Sequence, residues 1–177
     1  MKRLFYIVVA LQLLFLVAQA AVNEITLLTA PVVYLRTAPV DPRSLFMGNY
    51  MDLSYDISTL DTSRVSVIGG RVTSGDTVYV GLRPSRPYAR AVAVSKDSPG
   101  KSPSGLIWLR GTVIDEWGAS LMRVEYGLER YYIPEGKEGE VNRIAGRARK
   151  IVVEVAVRGD GTGMIRRVLV DGKPLPF

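Results

Sequence analysis

Carboxylates in two separate stretches are the groups of this sequence that come nearest to a catalytic pattern. Asp41 lies in "VDPR", and Glu129 and Glu135 lie in "GLERYYIPEG". Two carboxyl groups about 5–9 Å apart can cleave a glycosidic bond, one as general acid and the other as base or nucleophile. Arg43 and Arg130 lie close to these acids, however, and a neighbouring guanidinium lowers the pKa of a carboxyl group, which makes it a poor general acid. The main hypothesis for Glu129 and Glu135 is therefore that they form structural ion pairs with these arginines. A cell-envelope hydrolase acting on glycans or peptides is the alternative hypothesis.

The residue types that are missing exclude several kinds of site. The chain has no Cys and no His. It therefore offers no disulfide framework, no thiolate nucleophile and no imidazole base, and it lacks the usual ligands of zinc, copper and haem. A hard cation held by carboxylates would still be possible, but no loop has the dense Asp and Asn spacing that such a site needs. We expect neither a metal nor a cofactor.

A serine–lysine peptidase is a further hypothesis, and the sequence argues against it. The stretch "PRSLFMG", residues 42–48, loosely resembles the start of signal-peptidase-type enzymes, but Val40 stands near the position of the nucleophile and Ser44 is out of register. After the N-terminal segment, no Lys lies in an apolar strand where burial would lower its pKa enough to make it a base.

The basic charge does not by itself indicate nucleic acid. The formal net charge is +6 and the isoelectric point about 9.7. Apart from the adjacent Arg166 and Arg167, the arginines are spread singly from Arg36 onward, with carboxylates between them. We therefore expect no nucleic-acid partner, and a solvated basic surface that can face anionic lipid head groups.

The N-terminal segment predicts a membrane location. Lys2 and Arg3 precede residues 4–22, in which Gln12 and Gln19 are the only polar side chains. A helix of this length spans about 28 Å, close to the roughly 30 Å of a bilayer's hydrocarbon core. Basic residues before the segment favour an N-terminus on the inner side, so the rest of the chain is expected to be extracytoplasmic. Residues 4–22 would contact membrane lipid.

Cleavage of this segment is an open alternative. Residues 18–20, Ala-Gln-Ala, have the small-x-small form of a signal-peptidase site, and cleavage near Ala20 would give a secreted or periplasmic protein. The apolar run is long for a signal peptide and continues through Val22, which favours a retained single-pass anchor. We therefore divide the chain into an anchor or signal segment, residues 1–22, and an extracytoplasmic β-domain, residues 23–177.

Alternation with a period of two predicts an all-β domain after the anchor. In residues 51–57, large apolar side chains alternate with Asp52, Ser54 and Asp56. Further β-rich segments follow, separated by Gly and Pro turns and without alternating helices. This pattern indicates an antiparallel β-sandwich or small barrel, preceded by one N-terminal transmembrane or signal-anchor helix. The residues expected to face one core are Leu53, Tyr55, Val80, Ile107, Val153, Val155 and Leu169.

The stretch "GNYMDLSY", residues 48–55, resembles the signature of the GDYXXLXY protein family. The resemblance extends to "TAPVDPRSLFMGNY" (37–50), to "YGLERYYIPEGKEGE" (126–140) and to the last hairpin (153–175). We call residues 37–58 the first block and residues 126–140 the second block. The resemblance implies a bacterial, membrane-anchored protein and brings no enzymatic activity. It also implies a partner, because members often occur beside, or fused to, a multi-pass membrane protein of unknown function.

One position departs from the family signature. Asn49 stands where the signature has Asp. Asn lacks the charge that an acid, base or metal ligand would need, but it can still close an Asx-turn and tolerates left-handed backbone geometry. We therefore predict that Asn49 forms a tight turn that leads into a strand.

The two blocks are predicted to meet. Arg43 follows a rigid Asp-Pro turn, and its guanidinium can hold a carboxylate with two parallel hydrogen bonds, so we expect it to reach Glu129 or Glu135. This contact would gather Tyr50, Tyr131 and Tyr132 around one concavity.

Tyr with Arg is the usual composition of a protein recognition surface. The main functional hypothesis is therefore a non-catalytic interaction or accessory module of a membrane protein complex. The residues singled out for this surface are Asp41, Pro42, Arg43, Gly48, Asn49, Tyr50, Leu53, Tyr55, Glu129, Arg130, Tyr131 and Glu135.

Overall fold

A computed structural model describes residues 2–38, 50–98, 105–118, 120–145 and 150–175. The chain divides into two compact units, Met1–Ala30 and Pro31–Phe177. The first unit is a single helix, α1, which runs from Lys2 to Thr29 and has no buried residue. This helix is long and apolar enough to cross a membrane. It ends before Pro31, because a proline ring disfavours helical geometry in the residue that precedes it.

The second unit consists mainly of short strands. The described elements are β1 (Val32–Arg36), β2 (Tyr50–Asp52), a 3₁₀ turn (Asp56–Ser58), β3 (Thr59–Asp61), β4 (Ser66–Ile68), β5 (Thr77–Arg83), β6 (Arg90–Ser95), β7 (Ile107–Trp117), β8 (Leu121–Glu125), β9 (Arg130–Tyr132), α2 (Glu138–Ala145), β10 (Ile151–Val157), β11 (Gly163–Val170) and β12 (Lys173–Pro174).

The described strands form three sheets. The largest has the order β3-β8-β7-β5-β6-β4, the second has the order β1-β10-β11-β12, and β2 pairs with β9 alone. All of these pairs are antiparallel except β4 with β6. The fold is mostly β, with a sheet curled into a half-barrel, which confirms the predicted all-β class.

The core forms because the strands alternate as the sequence predicts. Along β5, the side chains of Val78, Val80 and Leu82 are fully buried. On the neighbouring β7, Gly111 lies in the same core, and a Cβ there would come within 2.5 Å of a Val124 methyl carbon and 3.0 Å of the Tyr126 ring. Because glycine has no side chain, this position leaves room for the Tyr126 ring.

Most residues predicted for the core are in it, but one prediction is wrong. Leu53, Tyr55, Val80, Val153 and Val155 are buried, and Ile107 packs partly buried against them. On β11, by contrast, Val168 and Val170 are in the core, and Leu169 lies on the opposite face, across from Val152. The segment 168–170 is apolar on both faces, so its alternation does not select a side.

A β-bulge at Arg166 in β11 brings two consecutive arginines to one carboxylate of β10. The pairing of β10 with β11 shifts between Glu154 and Val155. The Glu154 side chain is 7% exposed. Its carboxylate forms ion pairs with Arg166 at 3.3 Å and with Arg167 at 3.1 Å. A bulge inserts an extra residue into one strand, which lets neighbouring side chains point in similar directions. The buried carboxylate is therefore compensated by two guanidinium groups.

Candidate functional site

Strands β2 and β9 join the first block to the second. Tyr50 pairs with Tyr132, Met51 with Tyr131, and Asp52 with Arg130. The contact continues beyond the strands, where the Leu53 N–H donates to the Glu129 carbonyl at 2.7 Å. Residues far apart in the sequence therefore form one ribbon.

Two buried tyrosines fasten this ribbon to the core from its inner side. The Tyr55 hydroxyl donates to the Leu128 carbonyl, and the Tyr126 hydroxyl donates to the Ile57 carbonyl, each at 2.6 Å. Each tyrosine thus bonds the backbone of the other block. Burial raises the pKa of both phenols, and the Glu129 carboxylate raises it further, because a negative charge nearby disfavours a phenolate. Both hydroxyls remain protonated donors at neutral pH.

Glu129 holds the turn between β8 and β9. One carboxylate oxygen accepts the N–H of Tyr126 at 2.7 Å. Within the described part of the chain, Glu129 makes no ion pair with Arg130, so the interpretation of these neighbours as an ion pair is wrong. Consecutive residues at a strand start point to opposite sides, which separates the two side chains. Glu129 acts as a local backbone cap instead.

The outer side of the ribbon presents aromatic and charged groups to solvent. Tyr50, Asp52, Arg130 and Tyr132 share this side because alternate residues of a strand face the same way. The Tyr50 and Tyr132 ring centroids are 6.1 Å apart, and the Arg130 guanidinium carbon lies 5.5 Å from the Tyr50 ring centroid. Tyr132 is 71% exposed. We call these four residues the ribbon face.

An open groove of about 570 Å³ shares Asp52 and Arg130 with the ribbon face. Its charged lining combines both signs. Among the described residues, Asp52, Arg123, Glu125 and Arg130 make no ion pair, so these groups are available to a ligand. The lining residues are Asp52, Leu53, Ser54, Ser58, Arg123, Val124, Glu125, Gly127, Glu129 and Arg130.

The groove has no feature of a metal centre in the described part of the chain. No group of three or more acidic side chains there comes together as metal ligands would.

Part of the predicted surface lies outside the described residues. The predicted residues that the structure does not describe are Asp41, Pro42, Arg43, Gly48 and Asn49. The contact of Arg43 with a carboxylate and the turn at Asn49 therefore stay predictions.

The remaining predicted residues separate into two environments. Leu53 and Tyr55 are in the core. Glu135 is exposed and does not line the groove. Tyr131 lies half-buried against the core beside Met51, so the prediction that it shares one concavity with Tyr50 and Tyr132 is wrong. Adjacent residues of a strand face opposite sides, and the sequence "RYY" alone does not say which tyrosine points inward.

Three charged residues of the groove were not predicted from the sequence. Asp52 alternates with buried neighbours in β2, and Arg123 and Glu125 alternate with Met122 and Val124 in β8. The period of two indicates that these charges face outward, but it carries no information about which strands lie side by side.

A comparison with protein-family models finds a match over most of the chain. The family model described as GDYXXLXY protein matches residues 12–168. The chain belongs to the GDYXXLXY family. No curated protein and no solved structure matches it.

The structure shows what three signature positions of this GDYXXLXY protein do. Leu53 fills the core, Tyr55 bonds the Leu128 carbonyl, and Tyr50 lies on the ribbon face opposite Tyr132. All three positions contact the second block or the core beneath it. The signature therefore forms one half of a two-block structure, and residues 126–132 form the other half.

Proposed function

We propose that this GDYXXLXY protein is a membrane-anchored, extracytoplasmic β-domain that acts as a non-catalytic interaction or accessory module of a membrane protein complex. Its partner is a multi-pass membrane protein, as the family resemblance implies. The observation that carries the proposal is the ribbon face, where the exposed Tyr132, the half-buried Tyr50 and a stacked arginine border a groove with unpaired charges.

The anchoring part of the proposal is supported by α1. The helix has no buried residue and is apolar over residues 4–22, so lipid would cover the surface that the helix exposes. Lys2 and Arg3 favour an inner N-terminus. The single-pass arrangement then puts the β-domain of this bacterial protein outside the cytoplasm.

The interaction part is supported by the composition of the ribbon face. Tyr and Arg are enriched among residues that dominate binding energy at protein interfaces. Tyr132 has most of its surface free, and Arg130 is held over the Tyr50 ring rather than by a carboxylate. A partner chain would cover these rings and meet the charges of Asp52 and Arg123 in the groove.

The hydrolase alternative receives less support from the same groove. Glu129 uses a carboxylate oxygen to accept the Tyr126 N–H, which ties the group to a structural contact. Glu135 does not line the groove. The carboxyl pair that the sequence singled out is therefore not assembled there, and we propose binding rather than hydrolysis.

Site-specific photo-crosslinking in intact membranes tests the proposal. A photoreactive phenylalanine analogue replaces Tyr132, which is 71% exposed, and in a control replaces Trp117, which is 45% exposed at the end of β7. We expect position 132, and not position 117, to form an adduct with a multi-pass membrane protein. Equal adducts at both positions, or none at position 132 in the membrane, would overturn the proposed surface.

A reporter of topology tests the anchoring separately. A phosphatase that is active only outside the cytoplasm, fused after Phe177, should be active and should sediment with membranes. Activity in the soluble extracytoplasmic fraction would instead indicate cleavage near Ala20, and inactivity would contradict the orientation.

A further inference from the structure

Four uncharged polar side chains within α1 recur on one side of the helix, whereas Lys2, Arg3, Glu24 and Thr29 lie outside that arc. Gln12, Gln19, Asn23 and Thr26 follow one another at spacings of seven, four and three residues. Because an α-helix turns about 100° per residue, these four positions lie within an arc of about 60°. Spacings of three, four and seven are those by which one helix packs along another. We call these four residues the polar seam.

The amides of the polar seam have no partner within the described part of the chain. The side chains of Gln12, Gln19 and Asn23 are exposed, and none makes a hydrogen bond there. The Thr26 hydroxyl, by contrast, donates to the Val22 carbonyl at 2.8 Å. Gln12 is next to the midpoint of residues 4–22, where the surrounding medium would be hydrocarbon. An amide there is costly unless another helix offers it a hydrogen bond.

We propose that α1 pairs in parallel with α1 of a second copy of this chain through the polar seam. The inference rests on the proposed function, because it requires α1 to remain in the membrane. Phe5, Val9 and Leu16 continue the same row with apolar side chains, so packing would accompany the amide contacts.

A second copy suits the polar seam better than an unrelated helix for two reasons. A carboxamide is both donor and acceptor, so Gln12 can bond Gln12 of the other copy, and Gln19 can bond Gln19. Copies of one chain also insert with the same orientation, so identical residues lie at identical depths. The seam residues are uncharged, and they require no oppositely charged partner.

Disulfide crosslinking measures this pairing directly, because the chain has no Cys of its own. Leu16→Cys places one thiol in the row of the seam, and Leu14→Cys places one on the opposite side of the helix. Both variants are made in the full chain and oxidised in membranes. We expect at least five times more disulfide-linked dimer from Leu16→Cys than from Leu14→Cys. Equal yields, or a monomer in both cases, would overturn the proposal.

Substitution of the amides tests their role in the pairing. In the Leu16→Cys background, Gln12→Leu with Gln19→Leu should lower the dimer fraction at least fivefold, whereas Gln12→Asn with Gln19→Asn should retain most of it. An unchanged dimer in the leucine variant would contradict pairing through amides. A complex that contains one copy of this chain and a different membrane protein would overturn the second copy as partner.

Two further measurements separate this inference from the proposed function. Resistance of each variant to alkaline extraction shows whether α1 stays in the membrane, and the mass of the mature chain shows whether it begins at Met1. A membrane-resident monomer contradicts the inference alone. A chain processed near Ala20 contradicts both the inference and the retained anchor.

Discussion

The hydroxyls of Tyr55 and Tyr126 brace the two blocks reciprocally, each donating at 2.6 Å to a backbone carbonyl of the block that the other belongs to. Both bonds lie outside the short β2–β9 ladder. The arrangement holds the ribbon from beneath, while Tyr50, Asp52, Arg130 and Tyr132 remain outside. A recognition surface mounted in this way would be rigid before a partner arrives.

Removal of either bracing hydroxyl is expected to destabilise the domain. Tyr55→Phe or Tyr126→Phe keeps the ring but deprives a buried carbonyl of its donor, which costs about 1–3 kcal/mol. Urea unfolding followed by tryptophan fluorescence measures the change. The matched control, Tyr132→Phe, alters an exposed ring and should stay within about 0.5 kcal/mol. Equal effects at the three positions would contradict the bracing role.

Stability should fall at alkaline pH. Burial raises the folded-state pKa of Tyr55 and Tyr126, and Glu129 raises it further, whereas a tyrosine in the unfolded chain ionises near pH 10. Above about pH 10 the unfolded state therefore loses these protons while the folded state keeps them, and the free energy of unfolding decreases as pH rises.

Urea midpoints between pH 8 and pH 11 measure this dependence. The double variant Tyr55→Phe/Tyr126→Phe is less stable overall, but its stability should fall less steeply above pH 10. Parallel curves for the variant and the wild type would mean that other groups cause the alkaline loss.

Loss of the buried carboxylate in β10 should be costly. Glu154 lies between Arg166 and Arg167 with 7% of its side chain exposed. Glu154→Ala leaves two guanidinium groups without their shared partner, and we expect a loss of about 1–3 kcal/mol, because Arg166 and Arg167 are 30% and 47% exposed and water can take the place of the carboxylate. Glu125→Ala removes an exposed carboxylate that has no ion pair in the described part of the chain, and it should cost less than about 0.5 kcal/mol. Similar losses for both would show that Glu154 is solvated.

A methyl group at Gly111 should disturb the core next to Tyr126. Its Cβ would come within 2.5 Å of a Val124 methyl carbon and 2.8 Å of the Glu125 carbonyl oxygen. Gly111→Ala is therefore expected to cost about 1–3 kcal/mol through overpacking. Gly139→Ala is the matched control, because that glycine lies in α2 and a Cβ there meets nothing within 4 Å. It should be neutral or stabilising by up to about 1 kcal/mol. Thermal unfolding of both variants decides between these outcomes.

The alternation of residues 51–57 predicted burial better than it predicted strand length. Met51, Leu53, Tyr55 and Ile57 are all buried, yet β2 ends at Asp52 and a 3₁₀ turn begins at Asp56. The apolar period decides which side chains face the core. The extent of a strand depends instead on its partner, and β9 offers only three residues. Strand pairing is a non-local property that a period in one segment does not contain.

The candidate site shows the same division. Its family signature and the proximity of its two blocks could be anticipated from the sequence, because the blocks are shared with a family and rich in Tyr. The inward orientation of the Tyr131 side chain could not be predicted, because the adjacent Tyr132 is chemically identical. Arg123 and Glu125 enter the groove through the placement of β8, which no local motif encodes.

Strand β1 has a consequence for the time course of synthesis. In the described sheets its one neighbour is β10, which pairs Val33 with Val155 and Leu35 with Val153. The partner strand is thus made more than 110 residues after β1. At about 5–20 residues per second, β1 waits roughly 6–25 s before it can pair. During that interval its backbone hydrogen-bonding groups form a free edge, open to wrong partners. The first strand of the domain to be synthesised is thus among the last to find its partner.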